Sequence, residues 1–112
     1  MKKTTEEYIK QVARDVVLLL LEKNKNYGDT ANNPPHIFSK LNATEGLCAR
    51  IDDKLSRIKT LGINKCSGVA SSEDTIKDLI GYLILLKVEM EKENDKIRTK
   101  IIKKKDQVKF GQ

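Results

Sequence analysis

Ile76, Leu79, Ile80, Leu83, Ile84, Leu86 and Met90 recur at three- and four-residue spacings and cover most of the circumference of a helix. A helix that is apolar nearly all round cannot lie on a surface, so other helices must cover it. Two other stretches have the right period. Tyr8, Ile9, Val12, Val16, Leu19 and Leu20 make one face, with Thr4 or Thr5 as cap and Glu6 and Glu7 in the first turn. Val17, Leu18 and Leu21 widen that face, so this end is expected to be buried on several sides. Leu47, Ile51, Leu55 and Ile58 make the face of a second helix, from about Thr44 to Leu61, ended by Gly62. Ser71, with Asp74 three residues on, fits a capping box for the central helix. No segment alternates with strand period. The expected fold is therefore all-α: a small bundle of three main helices with a long loop after the first.

The chain has 112 residues, room for one modest domain. It contains no Trp, two Phe and three Tyr, so its core must be aliphatic. One copy of such a chain buries little, and completion of the bundle by a homodimer or higher homo-oligomer is expected. Residues 25–43 read as loop because of Asn-Tyr-Gly-Asp and Pro34-Pro35, with Ile37, Phe38 and Leu41 available to pack a short turn on the core. Residues 62–72 form a second polar loop. Cys48 is expected to be a small buried apolar group and Cys66 to lie in a loop. They suggest neither a disulfide framework nor a zinc site, which favours a reducing cytoplasm. Val16–Leu21 is an apolar run of only six residues, and no signal segment precedes it, so no membrane partner is expected.

The net charge of +6 is unevenly placed. Of 22 basic and 16 acidic residues, seven basic and one acidic lie from Lys96 onward, leaving 15 of each before it. Residues 1–95 thus form a neutral helical domain and 96–112 a basic C-terminal tail. From Glu91 the pattern turns charged, and Ile97, Ile101 and Ile102 allow the helix to continue toward Lys105. The tail could contact nucleic acid or an acidic partner, or be a solvated helix end.

The second helix carries the most informative charges. With Leu47 at zero, Lys54 falls at about 340°, Arg50 about 300°, Arg57 about 280° and Asp53 about 240°. Leu61 lies at about 320°, so Lys54 points into the apolar arc and both arginines border it. Unpaired charge is expensive to bury. These cations must meet either carboxylates on a neighbouring helix or an anionic ligand, for which Arg offers bidentate phosphate contacts. On the third helix Asp74, Asp78 and Tyr82 form a stripe of fourth residues, extended by Glu89. Such carboxylates could hold a hard divalent cation, or could cap the helix and pair with the arginines. Asp15 and Glu22 share a face of the first helix, and Glu22 could reach the same region. At the end of that helix Gly28 permits positive φ, Tyr27 could stack on a base, and Asn24 or Asn26 could read its polar edge. His36, the one histidine, has no catalytic partners in sequence, and no P-loop or dinucleotide fingerprint is present.

The succession Lys23-Asn24-x-x-Tyr27-Gly28-Asp29, Arg50-x-x-Asp53-Lys54-x-x-Arg57 and Glu73-Asp74-Thr75-x-x-Asp78-Leu79-x-Gly81-Tyr82 resembles the nucleotide modification associated domain 1 family. That small helical family is largely phage-encoded and is distantly similar to the MazG-type all-α nucleoside triphosphate pyrophosphatases. The resemblance covers roughly residues 8–90. It implies a nucleotide-binding protein acting on a nucleotide or deoxynucleotide, with Mg²⁺ as cofactor, in the host cytoplasm if the chain is phage-encoded. On that resemblance Asp53, Asp74 and Asp78 would place the metal. Arg50, Lys54 and Arg57 would hold phosphate oxygens, and Asn24, Tyr27, Gly28 and Tyr82 would meet base or sugar. The chain departs from the MazG pattern by carrying Arg50-x-x-Asp53 in place of Glu-x-x-Glu, and Asp74-x-x-x-Asp78 in place of Glu-x-x-Asp. Cations replace carboxylates, which separates binding a phosphate from cutting one. Three readings therefore stand: a Mg²⁺-dependent pyrophosphohydrolase-like enzyme, a non-catalytic phage binder that sequesters a signalling nucleotide, and an interaction module using the basic tail on nucleic acid or protein.

Overall fold

The computed structural model describes residues 2–69 and 73–110, with side chains described through residue 106. Three α-helices follow one another: α1 (Thr5–Tyr27), α2 (Ala43–Leu61) and α3 (Thr75–Phe110), with a 3₁₀ turn at Ile63–Lys65. The described residues contain no strand, so the all-α expectation holds.

Local chemistry sets each boundary. Thr4 caps α1 by accepting a hydrogen bond from the Glu7 amide at 3.2 Å. At the other end Gly28 takes a left-handed conformation, φ 65° and ψ 36°, and its amide donates to the Asn24 carbonyl. Asp29 follows with φ 64°, and its amide reaches the same carbonyl at 3.3 Å. Two successive left-handed residues turn the chain sharply back toward α3. Asn42, which the sequence pattern does not single out, caps α2 through a full capping box. Its side chain accepts from the Glu45 amide at 2.8 Å, and the Glu45 carboxylate accepts from the Asn42 amide at 3.2 Å. α3 begins at Thr75, later than the capping pattern implied. Asp74 is its cap, accepting from the Lys77 amide at 3.0 Å. Ser71, the other half of the expected box, lies outside the described residues.

α3 is the central helix: α1 and α2 both pack on it and not directly on one another. The α2 contact is the broader. Leu47, Val16, Thr75 and Cys66 are fully buried around these crossings, with Ala43 and Asn32 also buried. At the α1 crossing Gly81 is buried, and a Cβ there would stand 3.2 Å from Leu20 Cδ2. The missing side chain lets the two helices approach. Asn32 fastens the loop after α1 onto α3, donating to the Leu85 carbonyl at 3.3 Å and the Glu89 carboxylate at 2.8 Å.

Elsewhere the apolar faces are incompletely covered. Ile9, Val12, Leu18 and Leu21 on α1 remain exposed, so the end of α1 is not buried on several sides. Leu55 is half exposed rather than part of the α2 core, and Cys48 is exposed rather than buried. Ile37 and Phe38 face outward, because the 29–42 loop closes on its own polar groups, His36 Nε2 lying 2.8 Å from the Leu41 carbonyl. α3 runs past Lys105 to Phe110. The common cause is geometric: among the described residues two helices cover a third that is apolar nearly all round, and both cover its first half. The radius of gyration is 19.1 Å, against about 13 Å for a compact chain of this length. No helix among the described residues is long and apolar enough to cross a membrane.

Replacing Asn42 by Ala removes the α2 capping box and is expected to lower stability by about 1 kcal/mol, read as a shift in urea midpoint at unchanged m-value.

Candidate functional site

Two polar assemblies sit where α2 and α1 meet the first turns of α3. The first is an ion-pair node. Lys54, pointing inward from α2, donates to the Glu73 carboxylate and lies 3.5 Å from Asp78 Oδ2. Arg57 Nε, one turn on, is 3.0 Å from Glu73 Oε2. The Lys54 side chain is only 18% exposed, so its ammonium depends on these partners. The hydrogen bond from Lys54 holds the Glu73 carboxyl below the ordinary glutamate range, helped by the charges of Lys54 and Arg57 against partial burial. The same bond raises Lys54 above the ordinary lysine value, with Asp78 adding to it and burial opposing.

Carboxylates on a neighbouring element therefore meet two of the three cations on the α2 stripe. Glu73 is the central acceptor. Sequence spacing does not reveal it, because it precedes α3 and meets Lys54 and Arg57 only through the tertiary approach of α2 to the start of α3. Two backbone features help place it. Gly68 has φ 87°, and a Cβ there would stand 3.1 Å from Asp74 Cβ. The Ile76 amide donates to the Cys66 carbonyl at 3.2 Å.

The second assembly is a cavity of about 500 Å³ between the end of α1, the start of the following loop and the first turns of α3. Leu19, Leu20, Ala31, Gly81 and Leu85 give it an apolar floor. Lys23, Arg50 and Lys77 supply cations, Asp29 and Asp78 carboxylates, and Tyr27 and Tyr82 aromatic rings. The Arg50 guanidinium lies 5.8 Å from the centre of the Tyr82 ring, a cation–π distance. Among the described residues Lys23, Arg50 and Lys77 enter no ion pair. Tyr27 is 68% exposed and stands at the mouth.

Asn24, Tyr27, Arg50, Asp78 and Tyr82 thus converge on one cavity, although they come from three helices. Gly28 does not line it, but bends the chain so that Asp29, Thr30 and Ala31 do. Lys54 and Arg57 are taken up by the adjacent node. Glu22 is exposed and its neighbour Lys23 lines the cavity instead. The three aspartates singled out for a metal are dispersed: Asp53 is exposed on α2, Asp74 caps α3, and Asp78 faces Lys54. No group of three or more His, Cys, Asp or Glu is gathered among the described residues in a way that could hold a metal ion. Lys77 is not among the candidate residues of the sequence, and Lys23 enters there only as the first residue of the turn block. Their positions depend on how α1 crosses α3, which no local pattern encodes.

No family model, characterised protein sequence or solved structure matches this chain.

The sign of the Lys54–Glu73 coupling fixes its pH window. The lowered Glu73 value contributes stability that is complete above the unfolded carboxyl value, ~4.3, and is lost as pH falls through the folded one. The raised Lys54 value contributes stability that is complete below the unfolded lysine value, ~10.4, and is lost as pH rises through the folded one. Lys54→Met is expected to lower stability most across the neutral plateau and least at both extremes. Urea midpoints measured from acid to alkaline pH for the two proteins check this.

Proposed function

We propose that this chain binds a nucleotide or deoxynucleotide in the α1–α3 cavity without cleaving it. One observation carries the reading: three cations without ion-pair partners among the described residues share a cavity with two tyrosines. A volume near 500 Å³ is in the range of small-molecule sites. Arg50 and the two lysines provide donors for phosphate oxygens, Arg50 as a planar fork and the lysines as mobile point charges. The faces of Tyr27 and Tyr82 suit a flat base, and the leucine floor suits its apolar body. Asn24 offers an amide that can both donate to and accept from a base edge.

The donor set does not fit a protein-held Mg²⁺. Asp78 is the one member of the expected trio at the cavity, and it already answers Lys54 at 3.5 Å. No hydrolytic step is therefore assigned to these residues. The resemblance to the nucleotide modification associated domain 1 family supports the ligand class. In that phage-type setting the reading becomes sequestration of a host nucleotide in the cytoplasm, with release of the ligand unchanged.

Small molecules released by heating the purified protein are expected to include an intact nucleotide by mass spectrometry. Arg50→Ala and Lys77→Ala should each weaken nucleotide binding by about 10- to 100-fold in calorimetry, the value of a charge-assisted hydrogen bond of roughly 1.5–3 kcal/mol. Turnover of a nucleoside triphosphate by the Mg²⁺-supplemented protein would replace this reading with the enzymatic one. Absence of binding across a panel of canonical and modified nucleotides would remove both.

A further inference from the structure

Beyond Glu89, where Asn32 makes the last hydrogen bond between α3 and another element, α3 continues to Phe110, about 30 Å of helix. Among the described residues, every hydrogen bond and ion pair of residues 91–106 is made within α3 itself. In folded proteins most helical stability comes from packing of an apolar face rather than from helix propensity.

This arm has such a face. Met90, Asn94, Ile97 and Ile101 fall within about 60° of arc, and Met90, Ile97 and Ile101 are 48%, 47% and 48% exposed. The seam continues the row of Leu83 and Leu86 on the helix body. One polar residue, Asn94, interrupts it, as buried polar residues do in paired helices where they fix register. The total accessible surface is 9143 Å², against about 6,200 Å² for a compact monomer of this mass. The surplus exceeds a standard protein interface of about 1,600 Å².

Charge identifies the occupant. The first part of the arm is acidic, with Glu91, Glu93 and Asp95 against Lys92. The second part is basic, with Lys96, Arg98, Lys100, Lys103, Lys104 and Lys105 against Asp106. Two such arms side by side in parallel would set acid on acid and base on base. Turned antiparallel about a two-fold axis near residues 95 and 96, they complement one another. Met90 then faces Ile101 of the partner subunit, and Asn94 faces Ile97 of the partner subunit. Glu93 and Lys100 lie on one flank of the seam, and Glu91 and Arg98 on the other. In this register each acid meets the base on the same flank of the opposing arm. The current partners of these acids are exposed neighbours on the same helix, such as Glu91–Arg98 at 3.9 Å and Glu93–Lys96 at 4.0 Å, and are cheaply exchanged.

We propose that the α3 arm is the dimerisation element of this protein, pairing antiparallel with the arm of a second copy through the Met90–Asn94–Ile97–Ile101 seam. The segment set apart in sequence as a basic tail is, in this arrangement, one half of a self-complementary helix. The proposal is independent of the nucleotide reading, since the cavity lies at the other end of α3.

Sedimentation equilibrium of the nuclease-treated full chain at physiological salt is expected to give a dimer. Ile97→Glu places a charge in the seam twice per dimer and should raise the dissociation constant at least about 30-fold, the effect of a single interface hot spot. A second pair of variants fixes orientation without charging the seam. In a Cys48→Ser background, Met90→Cys/Ile101→Cys should be joined into covalent dimers by a bismaleimide of about 10 Å reach. Ile101→Cys alone should not be, because antiparallel arms hold the two 101 positions about 16 Å apart along the axis. A monomer at high protein concentration, a dimer unaffected by Ile97→Glu, efficient cross-linking of Ile101→Cys alone, or association only when nucleic acid is added would each overturn the proposal.

Discussion

Covering α3 is the constraint on which the rest of the structure depends. Its first half is apolar on nearly every side, and leaving such a surface in water opposes folding at roughly 25 cal/mol per Å². α1 and α2 answer this from two directions, and α2 also packs on the 3₁₀ turn at Ile63–Lys65. The crossing with α1 is close because Gly81 presents no side chain to Leu20. The crossing with α2 is closed by Leu47 and by the polar bridge from Lys54 and Arg57 to Glu73 and Asp78. Among the described residues these supports stop near Glu89.

The cavity follows from that arrangement. α1 and α2 each pack on α3 without a close backbone approach to one another, and a cleft remains along it. The left-handed pair Gly28 and Asp29 then turns the chain across one end of the cleft, and Asn32 pins it there. Cations from all three helices are thereby brought around an apolar floor. Repulsion among them is tolerable beside solvent, where it is screened. The neighbouring node uses the same residue types in the opposite way: there Lys54 and Arg57 are neutralised internally and serve the helix–helix contact. One stripe of α2 thus divides its labour by position, with Arg50 at the cavity and Lys54 and Arg57 at the packing interface.

Much of this was legible in the residues. Periodicity located three helices, Thr4 and the glycines at 28 and 62 marked boundaries, and the angle of Lys54 showed that a buried cation needed a partner. Residues from the three charged and aromatic blocks line one cavity: Asn24, Tyr27, Arg50, Asp78 and Tyr82. Sequence could not say whether the α2 cations faced carboxylates or an open cleft, because helical spacing gives a direction and not a neighbour. Glu73 is the clearest case: it precedes α3, outside any periodic pattern, and becomes an acceptor only where α2 meets the start of α3. The reverse error concerns Val17, Leu18, Leu21, Leu55 and Cys48. Apolar character predicts that a residue gains from burial, but the helices among the described residues do not cover all of them.

The sequence by itself determined the helical class, the positions of the helices, the central place of α3 and the concentration of positive charge from Lys96 onward. These properties are local: they follow from spacing, capping and composition along a single stretch of chain. Only the tertiary structure decided which cations are paired and which line a cavity, that the three candidate metal aspartates are dispersed, and that half of α3 projects uncovered. Those outcomes depend on crossing angles and loop returns, which bring together residues with no fixed relation in sequence. The charged stripe of α2 shows both sides of this division, since its direction was set by the helix and its chemistry by what stood opposite.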